Sequence, residues 1–334
     1  MPDSIPDTAP GRRDARIPAT VITGFLGAGK TTFLNHVLRN QTGRRIAVIV
    51  NEFGEISVDG QLVVHDAAQQ LVEFNNGCLC CTVRGDLIET LGRLRERAGS
   101  LDAILIETTG LADPAPVAST FFVSDEVKSA IRLDSFVTLV DAVNIETNLA
   151  QSGEAQEQVA FSDIILINKI DLLDEARLAA LARTIRAMNP TAAIHFTRNG
   201  EIGLDSVLDT GAFELAAKLQ VDPEFLGDHA HEHDPAVTSF VLTETRPLAI
   251  DRFMTWMSGY AAEHGATLLR TKGIFHAAGF DERLVFQSVR MLTTLRPDRP
   301  WRDGEARASM FVVIGRDLDR QAIADGLAAC VVDA

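Results

Sequence analysis

Short runs of consecutive apolar residues punctuate the first two thirds of the chain, each ending in a polar or glycine-containing loop. Val21-Ile22, Arg45 to Val50 (RIAVIV), Leu101 to Glu107 (LDAILIE), Ser135 to Val140 and Asp163 to Ile167 are such runs. Unbroken rather than alternating hydrophobicity marks strands covered on both faces, as in parallel sheets. Leu71 to Phe74 and Ala193 to Thr197 add two shorter strands. Between them, Thr32 to Arg39, Gly85 to Arg97 and Glu175 to Met188 read as helices, the last closed by Asn189-Pro190. Asp113-Pro114-Ala115-Pro116 is expected to break the chain before Val117 to Phe122. Strands alternating with helices predict an α/β unit, a mostly parallel sheet with helices on both faces.

From Val237 the pattern changes. Thr238 to Leu242, Leu268 to Phe275, Leu284 to Val289 and Met310 to Ile314 read as strands, with helices over Leu248 to His264 and Leu318 to Ala329. Runs bounded by Gly273, Gly279 and Arg296-Pro297 suit an antiparallel sheet, so this part reads as a smaller α+β domain. Met254, Trp256 and Met257 read as core. The expected division is a leader over 1–16, a first domain over 17–220, a linker over 221–236 and a second domain over 237–334. The leader is rich in Pro, Asp and Arg and has no apolar h-region, unlike a signal peptide.

Composition narrows the function. A length of 334 residues suits about two domains, and 46% hydrophobic with 23% charged residues can build sizeable cores. The net charge of −15 argues against a general nucleic-acid-binding surface, because an acidic body repels phosphate. No apolar run approaches the ~18 residues that a membrane span needs. The expected compartment is the cytoplasm, where cysteines stay reduced.

The chemistry begins at Gly24-Phe25-Leu26-Gly27-Ala28-Gly29-Lys30-Thr31, a full GxxxxGKT match between a strand and a helix that opens with Thr32. Gly24, Gly27 and Gly29 let successive N–H groups aim at one phosphate, and the helix N-terminus adds partial positive charge there. Lys30 can reach the β- and γ-phosphates, and the Thr31 hydroxyl is placed to ligate Mg²⁺. Glu107, at the end of its strand, is the expected outer partner of that ion, where the commoner G-protein pattern has aspartate. Asp113 and Asp141 read as caps or loop residues about as well as functional groups, and neither is taken as a site residue.

Asn168-Lys169-Ile170-Asp171 follows a later strand, and NKxD in that place signals guanine. A carboxylate at Asp171 can accept both the N1–H and the exocyclic N–H of guanine, a donor pair that adenine lacks. Lys169 is expected to flank the base with its aliphatic stem.

Cys78, Cys80 and Cys81 put three thiols within four residues, and Cys330 is the only other cysteine. Such a cluster points to a soft metal or to redox chemistry. In a straight strand Cys78 and Cys80 share a face and Cys81 points away, so joint chelation requires a bend, which Asn75-Asn76-Gly77 can supply. Tetrahedral Zn²⁺ would need a fourth ligand; Glu55 leads, then water. Buried structural thiols, a vicinal disulfide and an iron–sulfur site stay open. The tract holding His229, His231 and His233 reads first as a solvated acidic linker, though an extended chain would put three imidazoles on one side.

GFLGAGKTT, NEFGE, NGCLCC, ETTGLADPAP and NKID, followed by LLRTKGIF, RLVFQSV, DRPW and FVVIGRDLDR, resemble the CobW-type P-loop GTPases over nearly the whole chain. These are metallochaperones and metal-insertion factors. The resemblance implies a GTPase domain of the SIMIBI class, using GTP/GDP and Mg²⁺, in which metal on the CxCC segment and guanine nucleotide affect each other. It points to Zn²⁺, with Co²⁺ as the alternative; iron roles also occur in the family. The partners in this reading are a client metalloprotein met through the C-terminal domain and, in a nucleotide- or metal-dependent way, a second copy of the chain. No water-orienting glutamine or arginine finger stands out, so turnover is expected to be slow, about 10⁻⁴ to 10⁻² s⁻¹. One departure matters: some relatives have a glutamate immediately before NEFGE, where this chain has Val50. Two other functions are a metal-binding switch or store without delivery, and a P-loop kinase, against which NKID argues.

Overall fold

The structure is a computed structural model, and it describes residues 14–40, 43–51, 70–74, 82–95, 101–108, 110, 114–213 and 237–332. In chain order the first unit contains β1 (Ile17–Thr23), α1 (Lys30–Asn40), β2 (Ile46–Asn51), β3 (Gln70–Phe74), α2 (Thr82–Arg95) and β4 (Ala103–Glu107). It continues with α3 (Pro114–Val123), α4 (Asp125–Ala130), β5 (Ile131–Asp141), α5 (Ile145–Gln151), α6 (Gly153–Phe161), β6 (Ile164–Asn168), α7 (Glu175–Met188) and β7 (Ala193–Phe196). The strands form one seven-stranded sheet in the order β3-β2-β4-β1-β5-β6-β7. Every neighbouring pair is parallel, so all carboxyl ends share one edge. Strand order reverses at β1, and the crevice beyond such a switch point is where open α/β sheets bind ligands.

The unbroken apolar runs are covered on both faces, as expected. Ile17, Ala19 and Val21 of β1 share a core with Leu91 of α2, Ala118 of α3, Val159 of α6 and Ile185 of α7. Ile22 faces the other way, against Phe33, Leu34 and Val37 of α1 and Val207. The break expected at Asp113-Pro114-Ala115-Pro116 is corrected: Pro114 opens α3. Proline is tolerated at the first helical position because its missing N–H would have had no partner there. Helix α2 starts at Thr82 rather than Gly85, and β5 starts at Ile131 rather than Ser135.

The second unit contains β8 (Thr238–Glu244), α8 (Ile250–His264), β9 (Leu268–Phe275), β10 (Glu282–Val289), β11 (Leu292–Pro300), β12 (Ser309–Gly315) and α9 (Arg320–Ala328). Its strands make an antiparallel sheet ordered β11-β10-β9-β12-β8. One face packs on α8 and α9, where Phe253 meets Phe275, Phe286 and Phe311 edge-on at 4.5, 5.0 and 5.6 Å between ring centroids. Met257 lies in that core, with Met254 and Trp256 partly buried against it, as expected. The other face brings Leu269, Val289, Val312 and Ile314 into the same core as Phe161 and Ile165 of the first unit.

A buried charge cluster crosses that contact. Asp163, fully buried, accepts from Arg270 Nη2 at 2.6 Å, Lys272 Nζ at 2.8 Å and the Phe136 N–H at 2.9 Å. Arg270 also donates to the Phe161 carbonyl. A carboxylate this deep persists only with such partners. The expected end of the first domain near Gln220, the linker with its three histidines and most of the leader lie outside the described residues.

Candidate functional site

The loop after β1 bends at Gly24, Gly27 and Gly29, with φ of 139°, 79° and 102°. At two of these positions space as well as conformation demands glycine. A Cβ on Gly24 would lie 2.3 Å from the Leu139 carbonyl oxygen, and one on Gly29 would lie 2.6 Å from Asn168 Nδ2. The loop runs straight into α1, whose first residue is Lys30. Lys30 Nζ donates to the carbonyl oxygens of Gly24 at 2.7 Å and Phe25 at 3.4 Å, so the ammonium spans the loop it belongs to. Thr31 is half-buried and Thr32 exposed, both in the first turn of α1. Ala28 is buried, and its N–H closes the turn on the Phe25 carbonyl at 3.2 Å.

Three neighbouring strand ends face this loop. Glu107 ends β4 in register with Ile22 of β1, and it is 7% exposed. The next residue, Thr108, donates its N–H and its hydroxyl to the Ile22 carbonyl at 2.9 and 3.2 Å, fastening the β4 end to β1. On the far side, Asp141 of β5 and Asn168 of β6 are register partners.

Asn168 is the joint of the site. Its Nδ2 donates to the Ala28 carbonyl at 3.0 Å, while Oδ1 accepts from Thr197 Oγ1 at 3.2 Å and the Gly200 N–H at 3.0 Å. One amide therefore ties the phosphate-type loop, the NKID segment and the loop after β7 together. Lys169 takes a left-handed backbone, φ 63°, and its ammonium reaches Asp141 Oδ2 at 2.8 Å. Asp141, which sequence alone does not mark as a site residue, is 5% exposed and fixes the Lys169 side chain. Burial works against its charged form, but hydrogen bonds from Lys169, Asn144 Nδ2 and the Val143 N–H prevail and hold its carboxyl below the usual range. The signal for Asp141 was its place at a strand end one strand before NKID. Asp171 stands half-exposed on the turn that follows, 3.7 Å from Arg198 Nε.

The candidate metal ligands Glu55, Cys78, Cys80 and Cys81 lie outside the described residues. The strands leading to them are described. Asn51 ends β2 in register with Phe74 at the end of β3, and Val50 pairs with Glu107 of β4. The segments carrying Glu55 and the cysteines thus depart from adjacent strands at the edge that carries the nucleotide-type loop. Val50 packs in the core with Ile22 and Val48, as befits a residue with no ligating atom. Among the described residues no three His, Cys, Asp or Glu side chains converge as a metal cage.

Two family models cover most of the chain. The CobW/HypB/UreG nucleotide-binding domain matches residues 18–196, and the C-terminal domain of the cobalamin synthesis protein CobW matches residues 237–331. The chain is 36% identical to the zinc chaperone YjiA of Escherichia coli, over 92% of this chain and 96% of that one. It is 35% identical to the zinc chaperone CobW of a Sinorhizobium species, over 95% and 98%. The crystal structure of Zn(II)-bound YjiA GTPase from E. coli superposes with a TM-score of 0.75 at 31% identity, covering 95% of this chain and 99% of that one. A GxxxxGKT loop between strand and helix, an NKID segment tied to it and matches from one end to the other lead to one conclusion: the chain belongs to the CobW/HypB/UreG family of nucleotide-binding proteins and carries the CobW C-terminal domain.

Proposed function

We propose that this protein is a GTP-hydrolysing metallochaperone that carries a transition metal, zinc foremost, to a client protein. The observation that carries the reading is the Asn168 bridge: one side chain fixes the guanine-type segment against the phosphate-type loop, at the sheet edge where β2 and β3, the strands that precede Glu55 and Cys78 in sequence, end. The names and the Zn(II)-bound structure of similar proteins support zinc as cargo.

In this reading the loop amides and Lys30 stabilise charge on the transferring phosphoryl group, and Asp171 pairs with the two guanine N–H groups. Lys169, anchored by Asp141, lays its methylene stem beside the base. The site fits Mg²⁺: a Cβ would fill the glycine cradle, and the nearby donors, the Thr31 hydroxyl and the buried Glu107 carboxylate, are hard oxygens. When bound, that ion supplies neutralisation of the β- and γ-phosphate oxygens. Cys78, Cys80 and Cys81, with Glu55 as fourth ligand, would hold the cargo metal as thiolates, which suits the cytoplasm. The domain limits of 17–220 and 237–334 go with this reading, the second domain meeting the client and self-association following nucleotide or metal.

The test is metal and nucleotide analysis of the whole purified protein. About one Zn²⁺ bound per chain through the thiols, with an affinity that differs between a non-hydrolysable GTP analogue and GDP, is the expected result. Equal affinities in the two states would overturn the chaperone reading.

A further inference from the structure

Helix α6 touches both halves of the molecule. On its outer side Glu157, largely buried, pairs with Arg316 at 2.9 Å and Arg290 at 3.2 Å, the residues just past the ends of β12 and β10. Arg316 also donates to the Gly153 carbonyl at 2.9 Å, at the start of the helix. The far end is fastened by Asn189, whose Nδ2 donates to the carbonyls of Val159 at 2.8 Å, Ala160 at 3.2 Å and Ser162 at 2.8 Å. The Ala160 and Ser162 carbonyls belong to the set a helix end leaves without partners in the helix, and the Val159 carbonyl also accepts from the Ser162 N–H at 3.3 Å. The helix is thus held by residues of the C-terminal unit along its length, from Arg316 at Gly153 to Arg270 at Phe161, and by the α7–β7 turn at its far end.

Its inner side carries Gln158, 1% exposed. The Gln158 backbone carbonyl accepts from Ser162 Oγ at 2.6 Å and Thr138 Oγ1 at 3.2 Å. The side-chain Nε2 donates to the Gly110 carbonyl at 3.0 Å. Gly110 follows the β4 end closely in sequence and is pressed onto the phosphate-type loop: a Cβ there would lie 2.9 Å from both Leu26 N and Leu26 Cδ2. A buried amide that donates to a loop carbonyl makes a position-setting contact, since leaving that carbonyl unpaired is costly.

The geometry points to Gln158 as a positioning residue for phosphoryl transfer, holding the Gly110 backbone against Leu26, with α6 transmitting the seating of the C-terminal sheet to that contact. This rests on the proposed role of Glu107 as outer partner of the Mg²⁺ that neutralises the β- and γ-phosphates, which sets the β4 end beside the transferring group. A Gln158 side chain that shifts or loses its donor lets the Gly110 peptide turn, and a backbone group beside the transferring phosphoryl is then misplaced. Ground-state contacts to guanine, the α-phosphate and Lys30 are untouched. The defect therefore falls on turnover, not on GDP binding. Misplacement of this kind has a large effect on rate even when small in distance.

The experiment uses the full-length chain with Mg²⁺ and saturating GTP. Gln158→Leu keeps the volume and removes the donor; kcat should fall about tenfold or more while KM and GDP affinity stay within about threefold. Glu157→Ala should lower kcat in the same direction, and the double variant should lose little beyond Gln158→Leu alone, as residues acting through one contact are non-additive. If Gln158→Leu does not fold by circular dichroism, Gln158→Glu, whose carboxylate cannot donate, is read by the same criteria. Unchanged kcat in a folded variant, or kcat and GDP affinity falling together, would overturn the inference. Glu107→Gln is measured alongside: if it turns over like wild type, the reading of the β4 end fails as well, whereas its loss beside an unaffected Gln158→Leu removes only the role of Gln158.

Discussion

Asn168 donates its side-chain amide to the Ala28 carbonyl at 3.0 Å, across 140 residues of sequence, and so makes the NKID and GxxxxGKT loops one piece. Asn168→Ala leaves the Ala28 carbonyl and the Gly200 N–H without this partner at a position only 2% exposed. The expected cost is about 1–3 kcal/mol of stability per group left unpaired. GTP and GDP affinities should fall together, since the Asn168 contact does not distinguish the γ-phosphate. Isothermal titration with both nucleotides checks this; a loss confined to GTP would count against the bridge.

Base choice should follow Asp171. Asp171→Asn exchanges an acceptor for an amide donor, which complements a carbonyl where guanine carries its amino group. GTP affinity should drop by at least tenfold and affinity for xanthosine triphosphate should rise. Competition between the two triphosphates measures the switch, and unchanged GTP binding would remove Asp171 from the site.

The Asp141 carboxyl sits below its ordinary value. Burial opposes the charge, but the hydrogen bonds from Lys169, Asn144 and Val143 outweigh it. A depressed carboxylate contributes stability that is complete above its unfolded pKa of about 3.9 and is lost as pH falls through the lower folded value. Chemical denaturation of wild type should therefore show an acid limb below about pH 4 that Asp141→Asn flattens. At pH 7 the same variant should free Lys169 and weaken nucleotide binding severalfold.

The thiols should answer to cobalt. Co²⁺ added to reduced protein should give thiolate-to-metal charge transfer and tetrahedral d–d bands, and serine at positions 78, 80 and 81 should abolish both. Coupling of about 1–3 kcal/mol would make metal affinity differ roughly 5- to 150-fold between GTP and GDP forms. Glu55→Ala should shrink that ratio; a ratio that survives intact moves the coupling to another ligand.

Much of this was legible because it is local. The glycine loop, NKID and the buried strands announce themselves in consecutive residues, and α7 and β9 were bounded to the residue at both ends. What the sequence hid was set by partners far away. Strand β11, LTTLRPDRP, has no apolar alternation and two prolines; it exists because β10 pairs with it at an edge where proline is allowed. Helices α5 and α6 were not foreseen between Asp141 and Asp163, since α6 buries a glutamine where a helix reading looks for an apolar side chain. Sequence leaves Asp141 between a cap or loop residue and a functional one, because its partner Lys169 lies 28 residues further along. The Asp163 cluster could not be read at all, because its cations come from another sheet.

That cluster predicts a large stability effect. Asp163→Asn removes the counter-charge of Arg270 and Lys272, both 1% exposed, and should destabilise the protein by about 3–5 kcal/mol. Replacing all three residues with apolar ones of similar volume should recover most of the loss. Urea midpoints for the single and triple variants decide it. A mild single variant would mean that the cations find other partners.

The same carboxylate has a consequence for synthesis. Asp163 leaves the ribosome 109 residues ahead of Lys272, and at about 5–20 residues per second the delay is roughly 5–20 s. Even after β6, α7 and β7 have followed it out, the nucleotide-binding half lacks the cations that let β6 close at its base until Arg270 and Lys272 are made. The nascent chain must wait with an acidic, half-open seam, and a ribosome stalled between these positions would hold a first domain unable to finish its own core.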